Sequence, residues 1–406
     1  MDSYRLYLAA RVWYAVCWTT TVTVSLVFMV EVAGLDPLQM VLVGTVLELS
    51  VFLFEIPTGV VADLVSRRLS VIIGHALVGV GYFVIVLKPE FPVILLSQVI
   101  WGFGWTFISG AYPAWLTSEV GIVRANEALL RGSQMAHGAA FVGIGIAIAL
   151  AQVDLALPIA AGSIGIAALS LVMTLLMRED HFEPVARTER EGWRDLGRVF
   201  LDGTRVVRGH PVLLLMLAIT FAIGAFSEGI DRLFTPYLIE RFDFPPLGSL
   251  DTVAWWGVIA AVSSLAGLAA TTLARRTVDL ERQQRLTGVL AACVAGISVG
   301  VLLMASLPGF YLVLACFWVV AALRSVYDPI SSAWLNHLFP EATRATLFSL
   351  FGQGDAVGQV AGGPILGFLA RQLGIGVALG ASALMLLPTL PLFNRIGRAF
   401  GAETRA

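Results

Sequence analysis

Twelve times the chain runs through roughly 20 or more predominantly apolar residues before a short polar interruption, at 6–33, 37–63, 69–87, 91–118, 127–151, 155–177, 211–239, 250–273, 286–306, 309–337, 345–370 and 373–394. At 1.5 Å rise per residue, about 20 such residues cross a hydrocarbon core of about 30 Å, so each run predicts a transmembrane helix. Hydrophobic residues make up 58% of the chain and charged ones 13%, which excludes water as its main solvent. The first run follows only Met1-Asp2-Ser3-Tyr4-Arg5, exceeds a signal-peptide core and leads into another span, so it reads as an uncleaved helix. The expected fold is an all-α polytopic membrane protein with twelve transmembrane helices.

The basic residues orient it. Arg67, Arg68, Arg124, Arg131, seven arginines from Arg178 to Arg208, Arg275, Arg276, Arg282, Arg285 and Arg344 lie on alternate connections, with Arg5, Arg395, Arg398 and Arg405 at the termini. The opposite side holds only Lys88, Arg241 and Arg371. By the positive-inside rule both termini and the 178–210 connection are expected in the cytoplasm, which requires an even number of crossings. That connection separates a six-helix half at 1–177 from another at 211–406. Within it Arg194, Arg198, Arg205 and Arg208 share one helical face and Trp193, Leu196, Val199 and Phe200 the other, the pattern of an amphipathic helix on the membrane surface.

The two halves repeat each other. Gly59-x3-Asp63-x3-Arg67-Arg68 follows span two and Gly267-x3-Thr271-x3-Arg275-Arg276 follows span eight at identical spacing. Ala114-Trp115-Leu116 ends span four as Ala333-Trp334-Leu335 ends span ten, and Gln134 and Gln353 each stand 19 residues beyond the tryptophan. The first motif resembles the cytoplasmic-loop signature of the major facilitator superfamily. Glu55-Ile56-Pro57-Thr58-Gly59 and Ser227-Glu228-Gly229-Ile230-Asp231-Arg232 are similar to bacterial drug/proton antiporters of the macrolide and tetracycline efflux type. That pattern carries an arginine where Gln98 stands, and its Gly-Pro element of span five is absent, something like it appearing instead at Gly358-x3-Gly362-Gly363-Pro364.

The resemblance implies two halves related by a pseudo-twofold axis, rocking about a central substrate site, with the Gly59–Arg68 loop as a latch of the outward-facing state. It implies proton-coupled export of hydrophobic compounds across the bacterial cytoplasmic membrane. Uptake of an organic anion, with Arg232 and Arg324 as its ligands, and a non-transporting sensor or scaffold are the competing readings.

An ionisable group in mid-bilayer costs at least ~2.5 kcal/mol, so those present mark a cavity or a partner. Glu48, Glu55, Asp231 and Asp355 are the proton-coupling candidates, with Glu55 equally readable as the partner of a loop arginine. Glu228 with Arg232, and Arg324 with Asp328, are further candidates for the substrate cavity; four residues apart, they read as intrahelical pairs, either gates or register-holding contacts. Trp18, Gln98, Trp105 and Tyr112 are candidates for the substrate cavity, and the aromatic ones among them, with Trp13, Tyr14 and Trp101, for stacking on a bulky apolar solute or for packing. His75, His137 and His337 are isolated. Cys17, Cys293 and Cys316 lack metal-ligand spacing, and no metal or cofactor is expected beyond a proton gradient as energy source. There is no nucleotide-binding loop, catalytic constellation or platform for nucleic acid, so the partners implied are a small-molecule substrate and the bilayer, with no obligatory protein partner.

Overall fold

The computed structural model describes residues 2–182, 205, 207–278, 283–339 and 344–403. The amphipathic pattern expected in the linker lies almost wholly outside these, as does the side chain of His337. The elements are α1 (Ser3–Glu31), α2 (Pro37–Leu64), α3 (Arg67–Leu87), α4 (Phe91–Ser109), α5 (Ala111–Val120), α6 (Ile122–Ala151), α7 (Ala156–Leu176), α8 (Pro211–Arg241), α9 (Ala254–Thr277), α10 (Gln283–Ser306), α11 (Phe310–Leu338), α12 (Arg344–Leu373), α13 (Ile375–Leu386) and α14 (Thr389–Glu403). Eleven stretches among the described residues are long and apolar enough to cross a membrane. The twelfth span is α12, whose 30 residues suffice in length and whose Gln353, Asp355, Gln359 and glycines lower its hydropathy.

Local chemistry sets the helix ends. The carboxylate of Asp36 accepts from the Gln39 N–H at 2.8 Å while the Gln39 side chain accepts from the Asp36 N–H, a capping box that starts α2 beside Pro37. Span four is broken at Gly110 because Pro113 lacks an N–H and its ring crowds the Ser109 carbonyl four residues back. Gly121, at φ 77°, and Gly374, at φ 97°, supply left-handed turns into α6 and α13 that a side chain would strain.

The described chain packs as two compact units, Met1–Arg190 with Asp243–Ala261 and Glu191–Phe242 with Val262–Ala406. In the first, α1 lies against α6 and α7, and α3 against α4 and α7. Residues 243–261 join this unit through the Asp251 N–H, which donates to Gln152 Oε1 at 2.8 Å. In the second, α8 packs on α12 and α10 on α11.

The two copies of the glycine-arginine motif are built differently. A Cβ on Gly59 would meet nothing within 4 Å, so that glycine makes no close helix approach, whereas one on Gly267 would sit 2.6 Å from Ser325 Oγ. In the first copy α2 ends at Leu64 and Arg67 opens α3, while α9 runs on past Arg275 and Arg276, which are exposed in its last turn. Asp63, exposed, meets the half-buried Arg67 at 3.8 Å, and Arg67 Nη1 also donates to the Ala114 carbonyl at 3.4 Å. Arg68 is the structural member. Its Nε donates to the Met177 carbonyl at 2.7 Å and its Nη2 to that of Thr174 at 2.6 Å, capping the end of α7, while its N–H and the Ser66 hydroxyl both reach Glu179. Arg68→Ala is expected to lower stability by about 1–3 kcal/mol, and Arg67→Ala by about 1 kcal/mol or less, read as unfolding midpoints in detergent.

Candidate functional site

Each unit holds its own cavity, and intramembrane charges expected from the sequence are found in both. In the first unit a cavity of about 470 Å³ is lined from α1, α2, α4 and α6. Arg11, Tyr14 and Trp18 follow one another at three and four residues, which brings them to one face of α1, and Trp101 and Trp105 share a face of α4 in the same way. Trp18 is the centre of an aromatic group. Its ring stacks with Tyr14 at 5.9 Å between centroids, and lies 5.5 Å from both Trp101 and Tyr82. Glu48 lines this cavity, as does His137.

The other first-unit candidates lie elsewhere. Gln98 is 2% exposed, donates to Ser97 Oγ at 3.0 Å and does not reach the cavity wall. Trp13 faces away from the cavity that Tyr14 lines, half-exposed, with its indole N–H donating to the Gly165 carbonyl at 2.8 Å, because neighbouring residues on a helix diverge by about 100°. Glu55 accepts from Ser109 Oγ at 3.3 Å, so its partner is a hydroxyl of α4 and not a loop arginine. Tyr112 is buried beside a smaller chamber of about 180 Å³, with its ring edge-on to Tyr7 and His75.

In the second unit a cavity of about 510 Å³ collects Asp231 from α8, Arg324, Tyr327 and Asp328 from α11, and Asp355 and Gln359 from α12. Here helical spacing misleads. Arg324 does not pair with Asp328 one turn on; its two terminal nitrogens reach across to the two oxygens of Asp231, at 2.5 and 2.8 Å, clamping α11 to α8. The two-pronged geometry aligns two charge-assisted bonds at once, which outweighs a same-helix contact. Glu228 and Arg232 do form the expected pair, at 3.7 Å, and neither lines the cavity. Asp355 accepts from Gln359 Nε2 at 2.8 Å.

One residue is not picked out by the sequence reading. Arg11 lines the 470 and 180 Å³ cavities of the first unit, yet by position it is one more basic residue near the start of the first span. The available signal is the lack of any acidic residue three or four positions away on its helix, where Tyr7, Leu8, Tyr14 and Ala15 stand.

Membrane-length helices enclosing charged cavities define a polytopic membrane transporter. The model of the Major Facilitator Superfamily matches residues 6–298, and the chain belongs to that family. It is 22% identical over 368 residues, 88% of this chain and 87% of the other, to the Uncharacterized MFS-type transporter YxaM of Bacillus subtilis (strain 168). Its fold is that of the nucleoside transporter NupG, with a TM-score of 0.74 at 16% identity over 97% of this chain and 99% of that one. It likewise matches the peptide transporter POT in complex with sulfate, with a TM-score of 0.71 at 15% identity over 98% of this chain and 95% of that one.

Proposed function

We propose that the protein is a proton-coupled secondary transporter that moves hydrophobic, aromatic small molecules by alternating access, exporting them across the bacterial cytoplasmic membrane. The reading rests on the charge balance of the second-unit cavity, where three carboxylates (Asp231, Asp328 and Asp355) face a single guanidinium, Arg324. In a membrane-embedded site such an excess of negative charge must be met by protons or another cation. Both terminal nitrogens of Arg324 are committed to Asp231, and Arg232 lies off the cavity, which argues against these two arginines as ligands of an organic anion. The aromatic wall around Trp18 supports a ring-bearing solute. Export and cytoplasmic termini are supported by the efflux-type resemblance and the arginine distribution.

Reconstitution in liposomes tests this. An imposed pH gradient should drive flux of lipophilic aromatic dyes or antibiotics, and Trp18→Ala should weaken their apparent affinity about two- to twelvefold, the equivalent of ~0.5–1.5 kcal/mol for a lost aromatic pair, while flux stays gradient-driven. Flux indifferent to the gradient would point to facilitated diffusion, and no flux across a broad panel to a sensor or scaffold.

A further inference from the structure

The 180 Å³ chamber of the first unit is lined by Tyr7, Arg11, Tyr14, His75, Trp105 and Tyr112, and it shares Arg11, Tyr14 and Trp105 with the larger aromatic cavity. Three of its polar groups have nothing to bind. The hydroxyls of Tyr14 and Tyr112, on side chains 9% and 6% exposed, and the buried Nε of Arg11 lack any hydrogen-bond partner. No carboxylate lies within ion-pair distance of Arg11 among the described residues; Glu48 lines the larger cavity but not the chamber. Buried polar groups are almost always satisfied, and an unmatched charge in a membrane span is costly, so three unmatched groups on one chamber call for a partner from outside. Water fills the hydroxyls' need but brings no opposite charge to the guanidinium inside the chamber.

The chamber is also held in shape. His75, 1% exposed, has its Nδ1 2.8 Å from the Val71 carbonyl, which can only accept, so this nitrogen carries a proton. Its ring stands edge-on to both Tyr14 and Tyr112, at 5.6 and 5.9 Å, fixing where the two hydroxyls point. Gly132 of α6 keeps the backbone close, since a Cβ there would lie 2.9 Å from the Tyr7 ring and 3.5 Å from Arg11 Cγ.

We infer that Arg11, Tyr14 and Tyr112 form a subsite for the carboxylate of an aromatic acid, whose rings lie on Trp18 and Trp101 in the adjoining cavity. One guanidinium and two hydroxyl donors match a singly charged head group, and the shared wall makes head and body sites continuous. The inference deepens the proposed function, and rests on it only for the solute being carried.

Binding is measured on the full-length protein in nanodiscs by quenching of tryptophan fluorescence, with naphthylacetate, naphthylacetamide and acetate as probes. The acid should bind at least about tenfold tighter than the amide, the value of one or two hydrogen bonds to a charged partner. Arg11→Gln should bring the acid down to the amide's affinity with the amide unchanged, and Tyr112→Phe should lose part of the preference. Should Arg11→Gln fail to fold, wild-type selectivity and Tyr112→Phe decide. Equal binding of acid and amide, no binding of either, or selectivity that survives Arg11→Gln would overturn the inference, and acetate binding as tightly as the naphthyl acid would reduce the site to one for simple anions and overturn the aromatic-acid assignment. Equal binding of both naphthyl probes leaves the aromatic-solute reading standing, whereas acid-selective binding without gradient-driven flux refutes that reading and keeps the subsite.

Discussion

Asp231→Asn will reduce flux driven by a proton gradient by at least about 100-fold while the protein remains folded. A gradient does work only if protonation favours one conformation over another, and a hundredfold loss corresponds to removing ~3 kcal/mol of such differential interaction. Asp231 is the group best placed to supply it, since a proton on either oxygen breaks the two-pronged bridge from Arg324 that ties α8 to α11. Asparagine keeps the shape and removes the titration. The stability cost should be modest, because the side chains are 33% and 47% exposed to the cavity and Arg324 can turn to Asp328 one turn along its own helix. About 1 kcal/mol is expected. Arg324→Gln should cost more, about 2–4 kcal/mol, since it leaves three carboxylates facing one another without a cation. The double variant should be more stable than Arg324→Gln alone and equally unable to couple. Gradient-driven transport at the wild-type rate in Asp231→Asn would remove this bridge from the mechanism.

The helices are plain in the sequence because a membrane span needs about 20 apolar residues, and a repeat of that length leaves few alternatives. The repeat also marks Trp115 and Trp334 as counterparts, and both are buried, at 0% and 2% exposure. Pairing across helices is another matter. Helical spacing sees only neighbours three or four positions away, so it finds Glu228 with Arg232 but assigns Arg324 to Asp328 and misses Asp231, 93 positions away. Glu55 draws its partner from α4 for the same reason. The matched glycines show a second limit, since identical spacing at Gly59 and Gly267 leaves one in open space and the other beneath Ser325. Motif spacing reports ancestry, and contact depends on which helix the tertiary fold lays alongside. Arg11 is hidden by a rule that works: a basic residue near the cytoplasmic end of a span is ordinarily explained by topology alone.

The glycines of α12 carry the second large effect. Gly354, Gly358 and Gly362 recur every four residues and so form one stripe along the helix, the small-residue spacing that lets membrane helices approach closely. The stripe lies on α8. A Cβ on Gly358 would run into the Phe221 carbonyl and come within 3.0 Å of the Ala225 nitrogen, and one on Gly362 would lie 2.6 Å from the Ala225 carbonyl oxygen. From the other side, Gly224 of α8 leaves no room beside the Asp355 carbonyl. Backbone atoms cannot swing aside as a side chain does, so Gly358→Ala and Gly224→Ala must push the helices apart, with an expected loss of about 2–4 kcal/mol. Because Asp231 and Asp355 ride on those two helices, transport should fall with stability. Gly354→Ala meets only the end of the Leu217 side chain, at 2.6 Å, and should cost about 1 kcal/mol or less once that leucine turns. Gly138→Ala and Gly145→Ala on α6, where a Cβ meets nothing within 4 Å, should be neutral or stabilising by up to ~1 kcal/mol, through alanine's better helix propensity. Unfolding midpoints of these five variants in one detergent rank the prediction directly. If Gly358→Ala behaved like Gly138→Ala, the α8–α12 contact would not hold the acidic cavity together, and the position of Asp231 would have to be set by the Arg324 bridge alone.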